Sequence, residues 1–388
     1  MRNLFFTVVV IVTVVACTGN GRRDSLYIPS KISDIEIEEN IFLEEWVDSV
    51  KYVPLETNDS CLIEDITQAC YVKGRWVIFD YMSQAIYLFN QDGSFIRKVG
   101  NRGRGAEEYL RASNIMVDNT TGDIVVYSSG RVLYYTNDGN FKKSVTLNRV
   151  SEYPIRNIGL IDDGHFICYT YDYSDESAGV EGSGVWELDA DGNFIRSYCV
   201  QNPTYPVLMN LTSPYITTVG DENEIVYIRD AIFSNIYAIQ NGKIDTLLCY
   251  TFNESEYKSY AGERLYNGDV EKGWYIPLAH KSIVGGKWIF TYWDDQIDNS
   301  FVTLYNIETR QNRFTCSWSN SVGNKIQVIP NSMPVLTNMS NAMVFVASYE
   351  TPLLGDYIGG IDKNFALGKL LSERSEDDNP ILQVVYTK

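Results

Sequence analysis

Short apolar runs recur along the chain and are separated by polar turns that carry glycine. In one such unit the apolar runs 75–80 and 85–89 are followed by the turn 90–93 and by the mixed run 94–99. The turn ends in Asp-Gly, which favours a tight β-hairpin because both central residues of a two-residue turn take a positive φ. The pattern therefore predicts two apolar strands, a hairpin turn and a third strand.

The same unit returns along the chain. The turn positions are Gly93, Gly139, Gly192 and Gly242, at spacings of 46, 53 and 50 residues, and then Glu308-Thr309. Each unit is preceded by one further apolar stretch, such as 66–72 or 114–117. Four strands in about 50 residues is the size of a β-propeller blade. The first strands of each unit are apolar on both faces, as expected for strands buried between two neighbouring blades.

A sixth unit is split between the two ends of the chain. Runs 343–347 and 381–386 predict two strands, run 50–55 predicts a third, and the intervening residues 365–374 have the apolar periodicity of a helix. A blade built from both chain ends closes a ring and removes exposed sheet edges. The sequence therefore predicts an all-β protein: a six-bladed β-propeller of four-stranded antiparallel blades, closed by the N- and C-terminal strands in the last blade.

The N-terminus has the pattern of a signal peptide. Arg2 precedes the apolar run 4–15, which is too short to span a membrane, and this run leads into Val14-Val15-Ala16-Cys17. Small residues before a cysteine resemble the bacterial lipobox, in which the signal is cut and the cysteine is acylated. Ordinary cleavage, with Cys17 as a bystander, is the alternative. The expected division is a signal peptide at 1–16, the lipidated Cys17 and a tether at 17–44, and the six-bladed propeller at 45–388.

Charge and cysteine content narrow the function classes. The chain has 32 basic and 50 acidic residues, a net charge of −18, and no basic cluster larger than a pair, which argues against nucleic acid as a partner. We expect an outer-membrane lipoprotein of the cell envelope, facing the periplasm or the cell surface, that meets the membrane through its lipid anchor only. Six cysteines remain after Cys17, and Cys61 with Cys70 is the preferred disulfide.

Several segments resemble the six-bladed β-propeller lipoproteins of Bacteroidetes-type bacteria. They are residues 51–57 (KYVPLET), 90–95 (NQDGSF), 100–109 (GNRGRGAEEY) and 379–382 (NPIL). The segment 100–109 is also similar to NHL-type propellers, although Ala106-Glu107 stands where the family commonly has Pro-Gly. The resemblance implies this fold and export, and it implies no chemistry because most members of the group have no assigned activity.

The glycine-rich segment 100–109 is the first candidate site. Predicted strands flank it on both sides, so it lacks the helix N-terminus that a phosphate-binding loop requires. Its glycines allow the chain to cross from the outer strand of one blade to the inner strand of the next, with Tyr109 filling the seam. The alternative is that Arg102, Arg104 and Glu108 reach a ligand at the mouth of the central channel, together with Tyr109.

Other candidate groups are more isolated. Trp293 and Asp294 follow a strand and could stack on and hydrogen-bond a sugar, or else be a core tryptophan and a turn aspartate. His280 is a candidate general base beside a long insert. Carboxylates near strand ends, which an axial Ca²⁺ would need from several blades, are Asp80, Asp118, Asp162 and Asp230. Sequence cannot show that they converge, so we predict no metal site and no cofactor, with Ca²⁺ as the alternative.

No arrangement of residues in the sequence marks a catalytic mechanism, and the catalytic residues are unknown. We therefore expect a non-catalytic, envelope-anchored binding or scaffold propeller whose ligand is a glycan or a protein partner. The alternative is a calcium-assisted hydrolase or lyase with its site in the central channel, which has only six-bladed analogy behind it.

Overall fold

The fold is described from a computed structural model. It describes residues 25–29, 35–38, 41–151, 154–170, 184–198, 215–220, 224–229, 235–251, 278–294, 300–315, 318–319, 334–347 and 366–388. The predicted signal peptide and Cys17 lie outside these residues. Within them, no helix is long and apolar enough to cross a membrane.

The described strands form six sheets of blade size and a short N-terminal pairing. The N-terminal strands are β1 (Ser25–Tyr27), β2 (Ile41–Phe42) and β3 (Val47–Pro54). Blade 1 is β4 (Ile66–Val72), β5 (Arg75–Asp80), β6 (Ala85–Asn90) and β7 (Phe95–Lys98). Blade 2 is β8 (Asn114–Val117), β9 (Ile124–Ser128), β10 (Arg131–Tyr135) and β11 (Phe141–Thr146). Blade 3 is β12 (Ile155–Ile161), β13 (His165–Thr170), β14 (Gly184–Leu188) and β15 (Phe194–Tyr198).

The remaining blades follow in chain order. Blade 4 is β16 (Tyr215–Val219), β17 (Ile225–Arg229), β18 (Ile236–Gln240) and β19 (Lys243–Thr251). Blade 5 is β20 (Leu278–Gly285), β21 (Trp288–Asp294), β22 (Ser300–Asn306) and β23 (Asn312–Thr315), followed by β24 (Trp318–Ser319). Blade 6 is β25 (Pro334–Val335), β26 (Ala342–Ala347), β27 (Ile381–Thr387) and β3. Among the described residues the helices are α1 (Ala366–Ser372) and the 3₁₀ segments Leu43–Glu45 and Asp162–Gly164.

Blade 6 confirms the predicted closure of the ring. Its outer strand β3 comes from the N-terminal part of the chain and pairs antiparallel with the C-terminal strand β27, from Ile381 opposite Pro54 to Thr387 opposite Val47. The two ends of the propeller chain therefore hold each other in one sheet, and the predicted six-bladed propeller of four-stranded antiparallel blades is confirmed.

The core lies in layers between blades. Seven hydrophobic clusters are present among the described residues; six of them each join two neighbouring blades of the ring, and the seventh packs the helix α1 against blade 6. Between blades 1 and 2, for example, Val77 and Leu88 pack with Val126 and Leu133, all fully buried. Fully burying one such side chain contributes about 1.5–3 kcal/mol. This two-sided burial explains why the inner strands of each unit are apolar at successive positions.

The hairpin turns take two forms. The four predicted turn glycines, at 93, 139, 192 and 242, all have a positive φ. In blade 4 the φ of Asn241 is also positive, at 51°, which gives the predicted two-residue turn. In blades 1 to 3 the aspartate before the glycine has a negative φ, so the predicted turn type is wrong there. The Gly93 N–H donates to the Asn90 carbonyl (3.0 Å) and Asn90 N–H to the Ser94 carbonyl (2.9 Å), a longer turn that ends in a bulge.

The N-terminal segment packs against the outside of the ring. β1 lies parallel to β19 and adds a fifth strand to blade 4. Glu38 then bridges Thr315 at the edge of blade 5, and β2 pairs with β24. Ile28 and Ile41 are fully buried by these contacts. The described residues of the segment expected as a tether thus complete the outer surface of blades 4 and 5.

The preferred disulfide is wrong. Cys61 and Cys70 are both free thiols, because Cys61 packs between blades 6 and 1 whereas Cys70 packs between blades 1 and 2. Burial raises the pKa of Cys70 to about 12. Cys199 and Cys316 lie outside the described residues.

Candidate functional site

The centre of the ring is joined by buried amide side chains. Gln68 of β4 donates from Nε2 to Asn114 Oδ1 of β8 and accepts the Ile115 N–H at 2.7 Å. Asn114 in turn donates from Nδ2 to the Ile158 carbonyl and to Asn157 Oδ1 of β12, the latter at 3.3 Å. Blades 1, 2 and 3 are therefore linked at the axis by hydrogen bonds that the side chains make to one another and to backbone.

Blades 1 and 6 meet at the axis through their backbones. The Ala69 N–H donates to the Leu336 carbonyl at 2.8 Å, and the Leu336 N–H donates to the Thr67 carbonyl at 3.2 Å. The axial cavity has a volume of only about 20 Å³, room for about one water molecule. Its lining residues are Gln68, Cys70, Ile115, Met116, Val117, Gly159, Ile216, Thr217, Thr218, Leu336, Thr337 and Asn338.

One end of the axis is closed by two asparagines. Asn338 accepts the Tyr71 N–H at 2.7 Å and donates to the Tyr71 carbonyl at 2.9 Å. Its Nδ2 also donates to Asn119 Oδ1 at 2.9 Å, and Asn119 Nδ2 donates to the Gly220 carbonyl at 2.5 Å. These bonds tie blades 6, 1, 2 and 4 together across the ring. We call Gln68, Asn114, Asn119 and Asn338 the axial amides.

Two of the four aspartates considered as calcium ligands, Asp80 and Asp118, serve local turns. Asp80 accepts hydrogen bonds from the Glu64 N–H (2.9 Å) and the Met82 N–H (3.0 Å), among others. Asp118 accepts the N–H groups of the two residues at 120 and 121. Within the described part of the chain no three His, Cys, Asp or Glu side chains gather as a metal site would require. Asp230 and the side chain of Asp162 lie outside what is described.

The glycine-rich segment 100–109 is held by contacts within itself and to blades 1 and 2. Tyr109 is buried in the cluster between these blades, and its hydroxyl donates to the Gln84 carbonyl at 3.1 Å. Burial raises the pKa of Tyr109 to about 12. The Glu108 carboxylate accepts the Gly105 N–H at 2.8 Å, and a Cβ on Gly103 would lie 1.9 Å from that carboxylate. Tyr109 therefore fills the seam, and Glu108 turns back into its own loop.

Arg102 and Arg104 differ from their neighbours in this segment. Both are exposed, and neither guanidinium makes a hydrogen bond or ion pair with a described residue. The segment therefore brings two unpartnered cations to the surface while it buries its aromatic residue.

Trp293 is enclosed by protein. Its side chain is 1% exposed, its ring is stacked on Phe301 with centroids 5.9 Å apart, and its Nε1 donates to Thr303 Oγ1 at 3.1 Å. This is the arrangement of the alternative interpretation, a core tryptophan, because neither face of the indole is open to a sugar. Asp294 lies at the end of β21 and His280 on β20, and their side chains lie outside what the structure describes.

Four exposed apolar side chains in loops of blade 1 and its neighbouring connections were not predicted from the sequence. Leu62, Tyr81, Met82 and Leu110 are 58%, 39%, 61% and 51% exposed. Arg111 lies over the Tyr81 ring, 5.5 Å from its centroid, and hydrogen-bonds to the Tyr81 hydroxyl. The sequence signal was a pair of large apolar residues, Tyr81-Met82, in the link between two strands rather than within a strand.

Six blades around an axis closed by the axial amides define a six-bladed β-propeller. The chain belongs to the family DUF4934, described as a domain of unknown function, whose model matches residues 29–386. No curated protein matches the chain.

Solved structures share the fold at low identity. A candidate exported protein (BF0058) from Bacteroides fragilis NCTC 9343 has a TM-score of 0.64 and 18% identity, over 94% of this chain and 99% of that chain. A member of the DUF4221 family from Bacteroides vulgatus ATCC 8482 has a TM-score of 0.47 and 9% identity, over 88% and 97%. Virginiamycin B lyase from Staphylococcus aureus has a TM-score of 0.41 and 10% identity, over 87% and 99%. The first likeness concerns the fold alone, and the other two are too distant to carry an argument.

Proposed function

We propose that the protein is a non-catalytic binding or scaffold propeller, held in the cell envelope as an outer-membrane lipoprotein by a lipid on Cys17. A glycan or a protein is its expected ligand. The observation that carries this proposal is the amide-sealed axis. An axial enzyme site needs an open channel with convergent polar groups. The described lining here consists of amide, hydroxyl, aliphatic and sulfur-containing side chains, and it leaves a cavity of about 20 Å³.

The axial amides favour a structural role for a second reason. Gln68 and Asn114 are buried, and each makes hydrogen bonds to a neighbouring blade. Each of these amides thus spends hydrogen bonds on holding neighbouring blades together. A scaffold needs this rigidity at its centre, and its binding surfaces are then the faces of the ring and the loops upon them.

The location part of the proposal is supported by the signal-peptide pattern before Cys17. Its test compares the wild type with Cys17→Ala, and uses Cys249→Ala, which replaces a half-buried cysteine, as the matched control. The wild type and the control should fractionate with the outer membrane, and the wild type should carry the mass of a lipid on Cys17. Cys17→Ala should leave the membrane fraction, and membrane retention of this variant would contradict the anchor.

The non-catalytic part is tested by turnover. The full chain, with added Ca²⁺ and separately with a chelator, is assayed against panels of glycosides, lactones and peptides. We expect rates equal to the blank in both conditions. Turnover that is abolished by Asn114→Ala, in a variant that retains the wild-type circular dichroism spectrum, would instead establish an axial enzyme site.

A further inference from the structure

One buried hydroxyl at the axis of the ring has no hydrogen-bond partner among the described residues. It belongs to Thr218 on β16, the inner strand of blade 4, and this residue is 7% exposed. Most buried polar groups of folded proteins are hydrogen-bonded, because an unpaired hydroxyl in an apolar environment costs free energy. The Thr218 hydroxyl is therefore expected to bind a group from outside the protein.

The space beside this hydroxyl limits the size of the group it can bind. Thr218 lines the axial cavity, whose volume is about 20 Å³. Gly159 lies on β12 of blade 3, and a Cβ added to it would lie 2.9 Å from Thr218 Oγ1, so the lack of a side chain at Gly159 leaves room there. A water molecule needs about 10–15 Å³ of such volume, whereas sites for larger organic ligands have volumes of about 300 Å³ or more.

Two further buried side chains of the cavity lining have hydrogens to donate. Thr337, which follows β25 of blade 6, is 3% exposed; its Oγ1 accepts the Met339 N–H at 3.4 Å, and its own hydroxyl hydrogen has no acceptor among the described residues. Gln68 of blade 1 is 5% exposed, and its Nε2 donates one hydrogen to Asn114 and carries a second. Together with Thr218 these side chains provide three polar partners, and a buried water typically makes about three hydrogen bonds.

The charge of the cavity lining favours a neutral ligand. The described lining residues include no charged side chain. An ion at this position would therefore lose its hydration without gaining an opposite charge, which is costly in a protein interior. Asn338, also in the lining, uses both of its amide hydrogens in bonds to Tyr71 and Asn119. A neutral molecule that both donates and accepts hydrogen bonds, as water does, matches the groups that remain.

We propose that the axial cavity is a binding site for one water molecule, which hydrogen-bonds to Thr218, Thr337 and Gln68. The water joins the inner parts of blades 4, 6 and 1, so that a bound solvent molecule completes the closure of the axis together with the axial amides. The site depends on neither the envelope anchor nor the surface ligand of the proposed function.

The first test is a crystal structure of the full chain at a resolution that shows ordered water. We expect one density peak within hydrogen-bond distance of Thr218 Oγ1 and of Thr337 Oγ1 or the Gln68 amide. Crystals grown in rubidium chloride identify the bound species, because Rb⁺ at the site would give an anomalous signal and water would not. A site without a density peak, or with a rubidium signal, would overturn the inference.

The second test is urea unfolding of Thr218→Val, which removes the hydroxyl and nearly keeps the shape of the side chain. Loss of a hydrogen bond to the water should raise the equilibrium constant for unfolding about fivefold. Without a bound water the substitution would remove an unpaired buried hydroxyl, so an unchanged or lower constant would contradict the site.

A double-mutant cycle separates the shared water from two independent effects. Thr218→Val and Thr337→Val should be less than additive, because the second substitution acts on a water that the first has already weakened. Thr303→Val is the matched control: Thr303 is fully buried in blade 5 and accepts a hydrogen bond from Trp293 Nε1 at 3.1 Å, so its effect should add to that of Thr218→Val. Additivity in both pairs would refute a shared water, and the crystal structure decides the question if a variant does not fold.

Discussion

Asn379 is expected to hold the seam at which the ring closes. It is 3% exposed and lies just before β27, facing the loop that leads from blade 6 into blade 1. Its Oδ1 accepts the Ile63 N–H at 2.8 Å, and its Nδ2 donates to the Glu56 carbonyl at 2.6 Å and to the Cys61 carbonyl. One side chain thus satisfies three backbone groups of a loop more than 300 residues away in sequence.

Replacing Asn379 by Ala removes these partners: the bond to the Cys61 carbonyl is buried, and the bonds from the Ile63 N–H and to the Glu56 carbonyl are partly buried. At about 1–3 kcal/mol for the buried group left unpaired and less for the two partly buried groups, the free energy of unfolding should fall by about 2–3 kcal/mol. Asn58 is the matched control. It accepts the Ser60 N–H at 2.9 Å and donates to Glu56 Oε1 at 2.8 Å, and although the residue is half-buried, both of these hydrogen bonds are exposed to solvent. Asn58→Ala should therefore cost less than about 1 kcal/mol.

The assay is urea unfolding followed by tryptophan fluorescence and, in parallel, by circular dichroism. Coincident transitions with an unchanged slope would license comparison of the midpoints. If Asn379→Ala and Asn58→Ala have the same midpoint, the buried amide does not stabilise the closure and the reasoning fails. A lower midpoint for Asn379→Ala alone supports it.

Three further predictions concern other parts of the ring. Gly93→Ala should destabilise the protein by at least about 2 kcal/mol more than Gly74→Ala. Both glycines have a positive φ, but only at Gly93 would an added Cβ lie 2.1 Å from a backbone oxygen of the neighbouring blade, that of Pro54. Similar urea midpoints for the two variants would contradict this. The hydrogen bonds from Arg313 hold the pKa of Glu38 below its ordinary 4.5, so this stabilisation is complete above pH 4.5 and is lost as the pH falls through the lower, folded-state pKa. Glu38→Gln should therefore flatten that part of the acid dependence of the urea midpoint, and an unaltered profile would refute the assignment. Burial raises the pKa of the Cys70 thiol to about 12, so this thiol should not react with iodoacetamide at pH 8 until the protein unfolds. Peptide mass mapping after labelling would measure this reaction. Labelling of Cys70 in the native protein would contradict its burial.

Much of the ring could be predicted because its signals are local. A strand buried on both faces requires successive apolar residues, and a hairpin requires a residue that tolerates positive φ, so Gly93 and its counterparts mark the blade repeat. The closing blade was also predictable, since runs 50–55, 343–347 and 381–386 had no other partners in the repeat. The turn type was not, because Asp-Gly fits both a two-residue turn and a bulged one.

The chemistry at the surface and at the axis was decided by tertiary structure. Asn119 and Asn338 are ordinary turn residues in the sequence, and only the ring brings them to one end of the axis. In the sequence, Trp293 next to Asp294 is compatible with a sugar site as well as with a core position. The structure shows a core position, because Trp293 stacks on Phe301 and donates to Thr303 on the adjacent strand.

The amino-acid sequence by itself determined the blade pattern, the turn glycines and the strands that close the ring, because each depends on residues near one another in the chain or on periodic burial. The tertiary structure alone decided which polar groups are paired and which apolar groups remain outside. Hydrogen-bond satisfaction and exposure depend on neighbours from distant blades, as the contrast between buried Tyr109 and exposed Leu110 shows. The order of residues along the chain does not show which residues those neighbours are.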